Sequence, residues 1–81
     1  MRQPITTPAQ VAEIIRGRRK ARKLSQHELA TKIGLSQARL SVLEGDASTL
    51  PLDRLLLLAK LLGLELVIQD RADEPKSRAQ W

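Results

Sequence analysis

Apolar residues recur along this chain at helical spacing four times and at strand spacing once. Val11, Ile14 and Ile15 form the first stripe, preceded by Thr7, which can cap, and Pro8, which suits a first helical turn. They predict a helix from about Pro8 to Lys23, behind a short arm of residues 1–6. Leu29, Ala30 and Ile33 form the second stripe. Ser25 followed three residues on by Glu28 is the spacing of a capping box, so a helix is expected over Gln26–Ile33. Gly34 stands where a helix commonly closes in a left-handed residue, Leu35 can pack inward, and Ser36 is a good N-cap. Leu40 and Leu43 then share an inner face in a third helix, about Gln37–Glu44, with Gln37, Ala38, Ser41 and Val42 pointing the other way. Gly45 and Asp46 break the chain. Pro51 opens a fourth helix to Leu62, stopped by Gly63, with Leu52, Leu55, Ala59 and Leu62 as its inward stripe. Finally Leu64, Leu66 and Ile68 alternate with Glu65, Val67 and Gln69, which is strand periodicity.

The second and third helices are joined by a tight turn. Ala30 is small where two helices must cross closely, Gly34 follows four residues on, and Leu40 is six beyond that; this is the spacing of a helix-turn-helix. The lone strand must find a partner for its backbone groups, from the arm or from another chain. Residues 70–81 are polar and without periodicity, the pattern of a flexible tail after a domain of residues 1–69.

Composition narrows the reading. A chain of 81 residues suits one small domain, which buries only about 60% of its unfolded surface and gains much from oligomerisation. It has no cysteine, hence no disulfide or thiolate chemistry, and one histidine, which cannot make a zinc site. No apolar run approaches a membrane span, and the N-terminus lacks the apolar segment of a signal peptide, so a cytoplasmic location is expected. With no Phe, no Tyr and a single Trp, the core must be aliphatic. The net charge is +5, and residues 1–23 hold seven basic side chains against one acid, Glu13; the rest of the chain contributes no excess. Beside a helix-turn-helix, such a basic first helix is expected to track a phosphate backbone.

The run LSQHELATKIGLSQARLSVLEG resembles the Cro/repressor-like (Xre-type) helix-turn-helix domains. TPAQVAEIIRGRRKARKLSQ before it, LLGLELVIQD after it and the final Trp81 look like HipB-type antitoxins. The resemblance implies an all-α bundle of four to five helices with one C-terminal β-strand that pairs across a dimer. It also implies a HipA-type kinase toxin as partner, autoregulation of a shared toxin–antitoxin operon, and neutralisation by complex formation. In helix-turn-helix docking the second helix lies in the major groove with its N-terminal residues at base edges. Here those are Ser36, Gln37, Ala38, Arg39 and Ser41. Gln37 can bond adenine N6 and N7 together, Ala38 can touch a thymine methyl, and Arg39 can reach guanine or a phosphate. In the resembling family the residue matching Gln26 bonds a phosphate. Ser25 beside it and Lys20, Arg22 and Lys23 are the other phosphate candidates, although the basic residues are spread around the first helix and not all can face DNA.

Two charges stand apart. Arg19 continues the inward stripe Val11, Ile15, Arg19, and Glu44 ends the third helix, where the dipole disfavours a carboxylate. Opposite and misplaced, they suggest a partly buried ion pair, which members of the resembling family carry at these positions. Leu57 and Leu61, one turn apart on the side of the fourth helix that carries Asp53 and Lys60, read with Leu64, Leu66 and Ile68 as a homodimer interface. A palindromic double-stranded operator would follow. Trp81, the sole aromatic residue, is a candidate anchor for a partner.

Catalysis finds no support. Glu13, Glu28, Asp53 and Glu65 fall on different elements, His27 is a surface residue, and the four glycines are isolated. No cofactor or metal is implied. Three functions stay open: a repressor that is also an antitoxin; a free-standing repressor of phage or restriction-controller type; and a protein-interaction adaptor, against which Gln37 and the basic first helix argue.

Overall fold

The computed structural model describes residues 2–71 and contains four helices: α1 (Pro8–Ala21), α2 (Gln26–Ile33), α3 (Gln37–Leu43) and α4 (Leu52–Leu61). Three starts are capped by side chains. Thr7 Oγ1 accepts the Gln10 N–H at 3.3 Å while Gln10 Oε1 accepts the Thr7 N–H at 3.0 Å. Ser25 and Glu28 make the same reciprocal pair at 3.0 and 2.9 Å, and Ser36 Oγ accepts the Arg39 N–H at 3.1 Å. Pro51 occupies the N-cap of α4 and offers no side-chain bond.

Three ends share one device. After α2, Gly34 takes φ +72° and the Leu35 N–H reaches back to the Ala30 carbonyl at 2.9 Å; after α4, Gly63 takes φ +71° and the Leu64 N–H reaches Ala59 at 2.7 Å. After α1 the left-handed residue is Lys23 at φ +59°, with the Leu24 N–H on the Arg19 carbonyl at 3.1 Å. The leucine that follows each left-handed residue (Leu24, Leu35, Leu64) packs half-buried against the core. That is the apolar contact that accompanies a Schellman closure. Helix α1 therefore stops at Ala21, earlier than its basic run suggests, because Leu24 must turn inward.

The core is aliphatic: Ile15, Leu29, Ala30, Ile33, Leu40, Leu58 and Leu62. On α4, Ala59 and Leu62 are buried as the inward stripe has them, but two positions differ from the sequence reading. Leu58 is fully buried, Leu55 half-buried, and Leu52, placed on the inward stripe, is 65% exposed in the first turn. Leu61 is half-buried against the core rather than on an open face, whereas Leu56 and Leu57 are exposed.

The expected strand is corrected too. Among the described residues there is no strand, so the fold is all-α. Residues 64–69 run without a ladder because a single copy offers no second strand. Their burial does not alternate either: Leu64 is drawn inward by the α4 closure, while Leu66, Val67 and Ile68 all lie exposed. The tie to the arm is a side-chain bond from Arg2 to Gln69. Of the segment read as a tail, residues 72–81 with Trp81 lie outside the described residues. Among the described residues no helix is long and apolar enough to cross a membrane.

Candidate nucleic-acid interface

α2 and α3 pack through Leu29, Ala30 and Ile33 against Leu40, and the side of α3 away from this seam is open. Ser36, Gln37, Ala38, Ser41 and Val42 are exposed there, while Leu40 and Leu43 face the interior. Arg39 is exposed but not free-standing. Its Nη2 donates to Thr49 Oγ1 at 3.1 Å and approaches the Thr49 carbonyl at 3.5 Å, which draws the guanidinium toward the loop between α3 and α4.

Beneath this face lies a charged network. Arg19 donates from Nε to Glu44 Oε2 at 2.6 Å and from Nη2 to Glu44 Oε1 at 2.9 Å, and both residues are buried. The bidentate bond to Glu44 raises the Arg19 pKa against the opposing effect of burial. A third Arg19 donor meets the Leu24 carbonyl at 2.8 Å. Gln26 Nε2 adds a bond to Glu44 Oε1 at 3.1 Å, and Arg16 Nη1 donates to the Glu44 carbonyl at 2.8 Å. The last turn of α3 has no basic residue of its own, and its carbonyl end draws this cation from α1. No described buried side-chain polar atom is left without a partner. The network joins α1, the start of α2 and the end of α3, and so fixes how the helix-turn-helix sits on the first helix.

The basic excess of α1 is thus divided. Arg16 and Arg19 serve the network, and Arg18 Nε donates to the Leu62 carbonyl at the end of α4 at 3.1 Å. Arg22 lays its guanidinium directly against Gly63, where a Cβ would collide with it. Arg54 does the same service for α2, donating to the Ile33 carbonyl. Lys20, Lys23 and Ser25 are exposed; Gln26 is half-buried with one amide N–H spent on Glu44. Sequence reasoning assigned no role to Arg16, Arg18, Arg54 or Thr49. The one sequence signal for such capping was the uncapped, cation-free end of α3. Among the described residues no cluster of His, Cys, Asp or Glu could hold a metal ion.

The sequence matches the helix-turn-helix family over residues 15–69. No curated protein matches it. Among solved structures, a chain of the HipA–HipB–O2–O3 complex is 30% identical with a TM-score of 0.75, covering 85% of this chain and 97% of that one. A HipB–O4 20mer complex gives 30% identity and a TM-score of 0.74 over 85% and 97%. A restriction-modification controller protein gives 26% identity and a TM-score of 0.64 over 70% of this chain and 74% of that one. With the family match spanning most of the chain and a 30% identical relative covered almost end to end, the chain belongs to the Cro/repressor-like (Xre-type) helix-turn-helix family.

Proposed function

We propose that this protein is a sequence-specific DNA-binding repressor, not an enzyme, that acts as the antitoxin of a toxin–antitoxin operon. α3 would enter the major groove with Gln37, Ala38 and Ser41 toward base edges, while Lys20, Lys23, Ser25 and the N-terminus of α2 lie along phosphates. The observation that carries the reading is the outward face of α3, exposed and unobstructed, held by the Arg19–Glu44–Gln26 network. The likeness to HipB in complexes with DNA and with HipA supports both partners, an operator and a HipA-type kinase. In this reading a homodimer meets a palindromic operator, and Trp81 adds a contact to the toxin.

Replacing Gln37 with alanine is expected to weaken operator binding by about 1–3 kcal/mol and leave non-specific binding nearly intact. Titration on operator and scrambled duplexes decides, and equal loss on both would remove Gln37 from base readout. A second reading, a controller-type repressor without a toxin, is favoured by the likeness to the restriction-modification controller. The neighbouring reading frame separates the two: a kinase-like product that co-purifies with this chain is expected for the antitoxin, and its absence supports the free-standing repressor.

A further inference from the structure

The outward face of α3 is unusual in what it lacks. At 3.6 residues per turn, Ala38 and Val42 stand one above the other, opposite the buried Leu40 and Leu43. Val42 is 58% exposed, a β-branched apolar side chain at the crest of the helix. A single exposed valine is ordinary on a protein surface. Here it stands directly beyond Ala38, on the surface expected to meet base edges. No charged residue shares that crest. Arg39, the one side chain of α3 able to grip guanine O6 and N7 together, is drawn aside to Thr49. What remains for readout is one amide, Gln37, the hydroxyls of Ser36 and Ser41, and an apolar strip. An amide suits adenine, and an apolar surface suits the one hydrocarbon group of the major groove, the thymine 5-methyl.

The geometry points to Val42, continuous with Ala38, as a specificity-determining residue that reads thymine methyl groups, so that the α3-contacted core of each half-site consists of A·T pairs. This rests on the proposed DNA-binding function. Val42 is mostly exposed and belongs to no part of the buried core, so Val42→Ala is expected to leave the fold in place.

The full chain selects its sites from random duplex DNA. Each thymine of the consensus is then replaced in turn by deoxyuridine, which removes the methyl and keeps every hydrogen-bonding group. Binding of the wild type and of Val42→Ala is measured on each duplex. For the wild type, at least one thymine per half-site is expected to cost about fourfold on losing its methyl, the equivalent of about 0.8 kcal/mol for one apolar carbon removed from water. For Val42→Ala that penalty is expected to shrink toward one at the same position. A consensus with no deoxyuridine penalty, or a penalty unchanged in Val42→Ala, overturns the assignment and leaves the repressor reading standing. A consensus centred on G·C pairs whose recognition is lost with Arg39→Ala overturns it as well. A selection that returns no consensus overturns the DNA-reading function itself, and this inference with it.

Discussion

Individual residues in this chain carry effects that local chemistry makes checkable. Gly17 sits in the middle of α1 on an exposed face, and a Cβ built there meets nothing within 4 Å. An interior helical glycine costs about 1 kcal/mol against alanine, through the backbone entropy lost on folding. Gly17→Ala is therefore expected to stabilise the domain by about 0.5–1 kcal/mol, raising Tm by roughly 4–8 °C per kcal/mol in a chain of this size. Thermal unfolding checks it, and an unchanged or lowered Tm would mean that the glycine serves a contact made by another molecule. Glu28 is a second such residue. Hydrogen bonds from the Ser25 backbone N–H and then its hydroxyl hold the carboxyl below its ordinary pKa. A depressed native pKa means that the unfolded chain binds the proton more readily. The stabilisation is complete above the unfolded value of about 4.3 and is lost as pH falls through the lower native value. Glu28→Gln should flatten the acid limb of stability against pH, read as the urea midpoint between neutral pH and about pH 3. An acid limb identical to the wild type would remove the capping carboxylate from the account.

At the level of elements, the chain announces its starts and most of its stops, because those are decided by neighbours in sequence. Thr7, Ser25 and Ser36 cap where their spacing says, and Gly34 and Gly63 close α2 and α4. The end of α1 was not legible because Lys23, not glycine, takes the left-handed position. The phase of α4 was blurred by four consecutive leucines, Leu55–Leu58, which leave no polar residue to mark the outer face. The capping arginines were not legible because the carbonyls they reach lie 21 to 44 residues away along the chain. The Arg19–Glu44 pair is where sequence and structure meet: two charges on faces that should exclude them, joined in the interior. Glu44→Ala leaves the Arg19 guanidinium buried without its counter-charge and is expected to cost about 3–5 kcal/mol, a large share of the stability of so small a domain. Replacing both partners, as in Arg19→Met with Glu44→Leu, should recover much of that loss, since no buried charge is then stranded. Chemical denaturation of the single and double variants tests this. A double variant no better than Glu44→Ala would show that the network, through Gln26 and the Leu24 carbonyl, supports the fold beyond the pair itself.

For the whole molecule the unresolved demand is apolar surface. Leu52, Leu56 and Leu57 on α4 and Leu66, Val67 and Ile68 beyond it are all exposed, in a chain of 9.1 kDa whose own core is small. The segment 64–69 also carries backbone groups that no ladder satisfies within one copy. A second copy related by a two-fold axis would cover this surface with the same surface, and the paired recognition helices would then meet half-sites about one or two helical turns apart. The protein is expected to sediment at twice its 9.1 kDa chain mass at micromolar concentration, with a Tm that rises as protein concentration rises. Leu66→Asp together with Ile68→Asp places charge on the proposed contact while leaving the buried core of α1–α4 untouched. That variant should sediment as a monomer and bind a full palindromic operator little better than a single half-site. If the wild type is itself monomeric at that concentration, or if the double aspartate variant keeps both its mass and its operator affinity, residues 64–69 do not join two copies, and the exposed leucines of α4 must answer to another partner.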